Sequence, residues 1–256
     1  MSVPTSARDW DAATYDRVSA TQVEWAGPLL DRLAPRGDET VLDAGCGSGR
    51  VTRMLLDRLP HGRVVAVDSA PSMVELARDA LPAERATVIQ ADLAELELGE
   101  PVAAVFSNAV FHWIPDHPRL FARLHAALSP GGRLVAQCGG QGNVERFHAV
   151  VREVGGESPF AAHLAGWSGP WNFAAPAETV ARLEGAGFEE VEAWLEPSPT
   201  VPELTEDYLR TVCLGHHVDR LPAGLRDEFV RAVARRCPQP LELDYVRLNI
   251  AACRPG

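Results

Sequence analysis

The stretch VLDAGCGSGR (residues 41–50) decides the fold. A short apolar run leads straight into Gly45-Cys46-Gly47-Ser48-Gly49, and Val51, Met54, Leu55 and Leu59 then recur at helical spacing. Glycines between a strand and a helix permit tight backbone turns. They also let a ligand lie against bare N–H groups at the helix start. The loop by itself could equally be an ordinary glycine-rich turn. Two acids give it context. Asp68 closes the next strand, where a carboxylate can accept both hydroxyls of a ribose. Asp92 closes the third, where a carboxylate can accept from an adenine amino group while the Leu93 N–H donates to a ring nitrogen. Strand ends on one side of a parallel sheet share a crevice, so loop and acids converge on one nucleoside. Dinucleotide binders use GxGxxG, whereas this spacing is GxGxG followed by Arg50. Asp43, two residues before the first glycine, would repel a pyrophosphate and suit a ligand with an ammonium group.

Outward from this loop, residues 40–137 alternate strands with helices, the rhythm of βαβ units and a parallel sheet. Strand candidates are 40–45, 63–68, 86–92, 102–108 and 132–138, apolar enough to be buried on both faces. Between them, Met73, Leu76, Ala77 and Ala80 share one helix face, and Leu120, Leu124 and Leu128 share another. The SPGG turn at 129–132 ends a helix and opens a strand. Before the first strand, 7–34 reads as one or two helices. After 138 the rhythm loosens: a Gly/Pro-rich stretch to 175, a helix at 176–186, a strand at 188–195, helices near 205–214 and 222–236, and a closing strand at 241–254. In that last strand Val246, Leu248, Ile250 and Ala252 alternate with Tyr245, Arg247 and Asn249.

Composition excludes several classes. The chain has 256 residues, 46% apolar and 23% charged, as in an ordinary globular protein large enough to bury a core. No apolar run is long enough to span a membrane, and residues 1–16 lack a signal-peptide core. A net charge of −11 opposes nucleic acid and anionic membranes. Five dispersed cysteines with no CxxC argue against a disulfide framework or structural zinc, and for a cytoplasmic location. Every basic residue is Arg, which rules out Schiff-base lysine chemistry and a P-loop lysine.

DxGxGxG at 43–49, the acids at 68 and 92, NAVFHW at 108–113 and LSPGG at 128–132 together resemble the class I S-adenosylmethionine-dependent methyltransferases. FHWIPDH (111–117), PWNF (170–173), AGFEEVE (186–192) and YVRLNIAA (245–252) are similar to the trans-aconitate methyltransferase group. The resemblance implies an α/β, doubly wound, seven-stranded sheet in the order 3-2-1-4-5-7-6, with strand 7 antiparallel. It implies one domain over 1–256: an N-terminal helical lid (1–38), a cofactor-binding core (39–138) and substrate-capping insertions (139–175 and 197–240). S-adenosylmethionine is the implied cofactor, without metal. Its implied contacts are Asp43, Gly45, Gly47 and Gly49 for the methionyl part and Asp68 for the ribose. Ser69 and Met73 would flank ribose and adenine, Asp92 and Leu93 would read adenine, Asn108 would face the methionyl group, and Tyr15 would serve as a lid.

In that frame Phe111, His112 and Trp113 face the reaction. His112 is either the general base for a phenol or amine, or the group that orients a carboxylate, which is already ionised and needs no base. An anionic acceptor needs a local cation in so acidic a protein; Arg146 and Arg247 are the candidates, and Trp171 a candidate wall. The adjacent His216 and His217 read as exposed residues rather than metal ligands. The expected reaction is O-methylation of a small-molecule carboxylate, with O- or C-methylation of a phenolic or carbon acceptor as the alternative. An NAD-dependent dehydrogenase is disfavoured by Asp43 and Arg50, and a binding-only protein is the remaining rival. The expected partner is a small molecule, with no nucleic acid or membrane, and the expected state a monomer or homodimer.

Overall fold

The computed structural model describes residues 20–202 and 208–256, with side chains from Trp25 onward in the first helix. One mixed seven-stranded sheet organises it, in the order β3-β2-β1-β4-β5-β7-β6. The strands are β1 (Thr40–Ala44), β2 (Arg63–Asp68), β3 (Ala86–Gln90), β4 (Val102–Asn108), β5 (Leu128–Gly139), β6 (Glu189–Pro197) and β7 (Val246–Cys253). The first five pair in parallel, and β7 lies antiparallel between β5 and β6. The expected architecture is therefore the observed one.

Helices cover both faces, and the strand residues alternate between them. Val41 joins Ala26, Leu29, Leu30 and Leu33 of α1 (Ala20–Leu33) and Leu55 of α2 (Arg50–Asp57). Leu42, the next residue, joins the opposite layer, where Leu120, Phe121 and Leu124 of α4 (His117–Ala127) and Leu183 of α7 (Pro176–Gly185) pack. A parallel strand covered on both sides has no solvent face, so it shows no polar alternation. Helix α3 (Pro71–Ala80) follows β2. A separate apolar cluster unites the insertions. Phe147 and Val151 of α5 (Glu145–Gly155) meet Leu164 of α6 (Ala161–Leu164), Val218 of α8 (Gly215–Arg220) and Phe229 and Val233 of α9 (Ala223–Arg236).

The i, i+3, i+4, i+7 stripe Ala26-Leu29-Leu30-Leu33 of α1 is fully or almost fully buried against the sheet. Two expectations need correction. The last strand starts at Val246 rather than 241, because Leu243 has already left the ladder to bridge Thr200. The segment near 205–214 gives a single wide turn at Leu209–Cys213, with 203–207 outside the described residues.

Candidate active site

The glycine loop closes over the end of β2, with the N–H groups of Gly45 and Cys46 both donating to the Val67 carbonyl at 2.8 and 2.9 Å. Two of its glycines are required by packing. Gly45, at φ +90°, would drive a Cβ to 2.1 Å from Val110, and Gly49, at φ +85°, abuts Leu81 and α3. Gly47, at φ +53°, faces open space, so its backbone forms the floor of a cradle that nothing in the loop fills. Asp68 holds that floor: its carboxylate accepts from the Gly47 N–H and from the Ala70 N–H, each at 2.9 Å. Burial raises the Asp68 pKa, and these backbone N–H groups oppose the rise. Asp43 is buried within β1 and accepts a 2.6 Å hydrogen bond from the Thr52 hydroxyl. Burial pushes its carboxyl up to about 7, against the Thr52 bond and helped by the charge of Asp68.

Of the remaining cofactor candidates, exposed Asp92 caps the turn Leu93–Glu95 through the Ala94 N–H, and Leu93 is buried beneath it. Ser69 is exposed at the end of β2, and Met73 is buried on α3. Asn108 closes β4, half-buried. Strands β1, β2 and β4 thus bring their C-terminal ends to one crevice. Tyr15 lies outside the described residues.

Beyond the end of β4 opens a cavity lined by His112, Trp113, Trp171, Phe173, Tyr245 and Arg247. Ala109 lies at its edge, one residue past Asn108. Ala109 (φ +62°) and Val144 (φ +47°), both lining it, hold left-handed backbone that costs a non-glycine residue of order 1 kcal/mol. His112 and Trp113 form one wall, with ring centroids 4.7 Å apart. Trp171 and Phe173 form another, nearly parallel at 7°, with His148 stacked 4.5 Å from Trp171. Gly169 lets the Trp171 ring lie directly on the backbone; a Cβ there would fall 1.8 Å from it. Trp25 of α1 and Tyr245 close a third side, edge to face at 5.2 Å.

Two polar groups matter in this aromatic shell. His112 is buried, and its Nδ1 accepts the Gly139 N–H at 3.2 Å. Burial holds the ring pKa well below 6.5, and the positive charge of Arg247 adds to the effect. A neutral imidazole whose Nδ1 accepts carries its proton on Nε2, so the ring offers a donor. Arg247 is also buried, with its guanidinium 4.2 Å over the Trp25 ring. Its Nε donates to Gln137 Oε1 at 3.2 Å, and Gln137 Nε2 donates in turn to Asn249 Oδ1 at 2.7 Å.

The remaining acceptor candidates separate. Phe111 is buried in the core against Phe121, away from the cavity, because the turn Phe111–Trp113 sends its side chain to the side away from His112 and Trp113. Arg146 is exposed on α5 and ion-paired with Glu242 at 2.6 Å and Asp244 at 3.4 Å, so it does not line the cavity. His217 is buried, not exposed, stacked on Phe229 and edge-on to Trp167. His148 and Tyr245 are lining residues the sequence did not single out for this site. The alternation of Tyr245 with Arg247 along one strand face was the available signal for one of them. Among the described residues no group of three His, Cys, Asp or Glu side chains could hold a metal.

Comparison with known proteins bears on this arrangement. A methyltransferase-domain family model matches residues 41–132. Trans-aconitate 2-methyltransferase of Methylobacterium nodulans is 37% identical over 204 residues, covering 79% of this chain and 72% of its own. The enzyme of the same name from Variovorax paradoxus is 31% identical and covers 94% of both chains. This chain belongs to the trans-aconitate 2-methyltransferase family. Solved structures share the fold. Haemonchus contortus phosphoethanolamine N-methyltransferase 2 superposes with TM-score 0.64 at 18% identity, over 99% of this chain and 59% of that one. An S-adenosylmethionine-dependent methyltransferase of Mesorhizobium loti gives 0.55 at 21% identity, over 91% and 98%.

As a member of this family the protein is an S-adenosylmethionine-dependent methyltransferase. The crevice fits that cofactor. The space beside Gly47 lets a ligand approach the loop backbone closely, and the buried Asp43 carboxyl would regain its charge beside an ammonium. Asp68 retains lone pairs for ribose hydroxyls after its two backbone bonds.

Proposed function

We propose that this methyltransferase esterifies a carboxylate of a small-molecule acid. One observation carries the reading: neutral His112, its Nδ1 occupied by the Gly139 N–H, presents a donor and no base to the cavity it shares with Arg247. A phenol or amine would have to give up a proton to such a site. A carboxylate arrives ionised and needs a donor and a cation to fix its oxygens. The relatives' printed name, which specifies an acid as the methyl acceptor, supports the same chemistry.

S-adenosylmethionine supplies an electrophilic methyl on a sulfonium; as an acceptor oxygen bonds that carbon, the C–S pair stays on sulfur and no proton is released. The chain's own contribution is alignment and dryness. Asp43 and Asp68 would hold the cofactor end of the crevice, while His112 Nε2–H and Arg247 would hold the acceptor end. The aromatic shell excludes water, which strengthens both polar contacts, and alignment alone can lower such a barrier by up to about 7–11 kcal/mol.

The test is product chemistry and pH. The enzyme should give methyl esters, recognised by mass and by alkaline lability, with no limb near 6.5 in its pH–rate profile between 6 and 8. His112→Gln, which still offers an N–H, should keep activity within about tenfold. His112→Leu should lose roughly 10- to 150-fold, the worth of a hydrogen bond to a charged group. A limb near 6.5 that vanishes in His112→Gln, with ether or amine products, would overturn the reading.

A further inference from the structure

Building on carboxylate methylation, we infer that Asn143 determines specificity for the acceptor: its side-chain NH2 donates to the carboxylate that the His112 Nε2–H also meets. Asn143 follows β5 in a turn closed by its own backbone N–H, which donates to the Gly140 carbonyl at 3.0 Å. Its Oδ1 accepts from the Val246 N–H at 2.9 Å. A backbone N–H can only donate, so this bond settles which end of the amide is oxygen and leaves Nδ2 as a pure donor. The residue is 5% exposed and lines the cavity. Among the described residues Nδ2 has no hydrogen-bond partner. A donor this deeply buried costs stability when nothing receives it, so its place in the cavity wall calls for a lone pair from outside the chain.

The end of β5 brings the two donors together. Gly139 donates its N–H to His112 Nδ1 at 3.2 Å. A Cβ on the same glycine would fall 2.9 Å from Asn143 Nδ2 and 2.8 Å from the Phe173 ring. Only a bare Cα lets amide and ring settle there, and Phe173 in turn stacks on His112 with centroids 5.8 Å apart. His112 and Asn143 therefore flank one residue, each anchored through its other polar atom, Nδ1 in the one and Oδ1 in the other. Donors already anchored lose little freedom on binding. A carboxylate has lone pairs on both oxygens and can accept from the two at once. A carboxamide of the same shape would turn its own NH2 toward one of them, leaving two donors face to face and neither satisfied. The pair thus selects a carboxylate against its neutral isostere through hydrogen-bond direction as well as charge.

The direct readout is the Asn143 side-chain NH2 signal in the nuclear magnetic resonance spectrum. The chain has four asparagines, so isotope labelling of asparagine gives four side-chain pairs. Asn143→Asp, or sequential assignment where that variant does not fold, identifies the pair from Asn143. In the full-length protein saturated with S-adenosylhomocysteine, acetate, benzoate, trans-aconitate and decanoate are titrated in turn. At least one should shift that pair saturably, whereas benzamide should leave it in place. Turnover of the same acids is followed as methyl-ester formation. Asn143→Asp keeps an oxygen for the Val246 N–H and replaces the donor by a second oxygen. It should lower kcat/KM for the esterified acid by roughly 10- to 150-fold, the worth of a hydrogen bond to a charged group, with S-adenosylhomocysteine affinity unchanged. A purely structural Asn143 would keep its turnover in this variant, because the bond it makes through Oδ1 is retained. Failure of every acid to shift the Asn143 pair would overturn the inference; if those acids still shift the His112 ring signals or are esterified, carboxylate methylation stands. Equal shifts with benzoate and benzamide, or turnover of Asn143→Asp within about threefold of the natural sequence, would overturn it as well. Methylation of a phenol with no acid accepted would overturn the proposed function itself.

Discussion

Asp43 sits inside β1 with Oδ2 bonded to Thr52 and its pKa pushed up to about 7 by burial. A ligand that brings an ammonium to this carboxylate should bind best when the carboxylate is ionised. S-adenosylhomocysteine affinity should therefore rise roughly tenfold between pH 6 and pH 8, as the free protein loses a proton it would otherwise shed on binding. Asp43→Asn should bind more weakly and flatten that profile; calorimetry across the range checks both, and a flat wild-type profile would remove Asp43 from the methionyl contact. At this scale the sequence was legible where a residue type and a strand end coincide, as for Asp43, Asp68 and Gly47. It was not legible where direction decides. Arg146 and Arg247 are indistinguishable as letters. What separates them is β7 register, which turns Arg247 inward opposite Gly139, and the two acids that capture Arg146 at the surface. Phe111 and His112 are neighbours sent to opposite sides by one short turn, which no periodicity encodes.

Helix α1 shows the same limit one level up. Its stripe Ala26-Leu29-Leu30-Leu33 announces an apolar face, but the sequence does not say which surface receives it. The sheet does, and it fastens the helix end with Arg133. That side chain donates from Nε to the Leu33 carbonyl at 2.7 Å and from Nη2 to Ala34 at 3.1 Å, and grips Glu39 through both terminal nitrogens at 2.7 and 2.8 Å. Burial alone would raise the Glu39 pKa; the bonds and charge of Arg133 and the Arg36 N–H outweigh it and hold the pKa low. Because Glu39 is almost fully buried, removing its partner leaves a charge stranded. Arg133→Met should cost about 3 kcal/mol in denaturant unfolding. Adding Glu39→Gln should recover part of that loss, because the second change removes the stranded charge; two simply additive losses would show that the pair is not coupled. Through Trp25 the same helix reaches the acceptor cavity, so loosening this clamp should also weaken acceptor binding.

Over the whole molecule, buried neutral histidines set the response to acid. His112 and His117 both use Nδ1 as an acceptor, from the Gly139 N–H and from Arg182 Nη1, and His117 donates from Nε2 to the Phe111 carbonyl. His148 titrates only at about 4 and His217 at about 3, both mainly through burial. Unfolded imidazoles take up protons near 6.5, so below that pH the unfolded chain binds more protons than the folded one. Stability is therefore fully present above about 6.5. It should fall as pH drops toward 4, by about 1.4 kcal/mol per pH unit for each histidine held neutral. Asp43 and Asp68 work in the opposite sense, since a raised carboxyl pKa favours the folded state as pH falls toward 3.8, and they offset part of that loss. The net loss should appear as a fall in the urea midpoint between pH 6.5 and 4.5. His217 offers the cleanest test, because its buried Nδ1 has no hydrogen-bond partner among the described residues and its ring stacks on Phe229. His217→Phe keeps the stacking and removes both the proton site and the unsatisfied nitrogen. It should be neutral or stabilising at pH 7.5 and should shallow the acid slope by about one histidine's worth. A variant that loses stability at pH 7.5 with an unchanged slope would mean that His217 is a polar structural group and not part of the acid response.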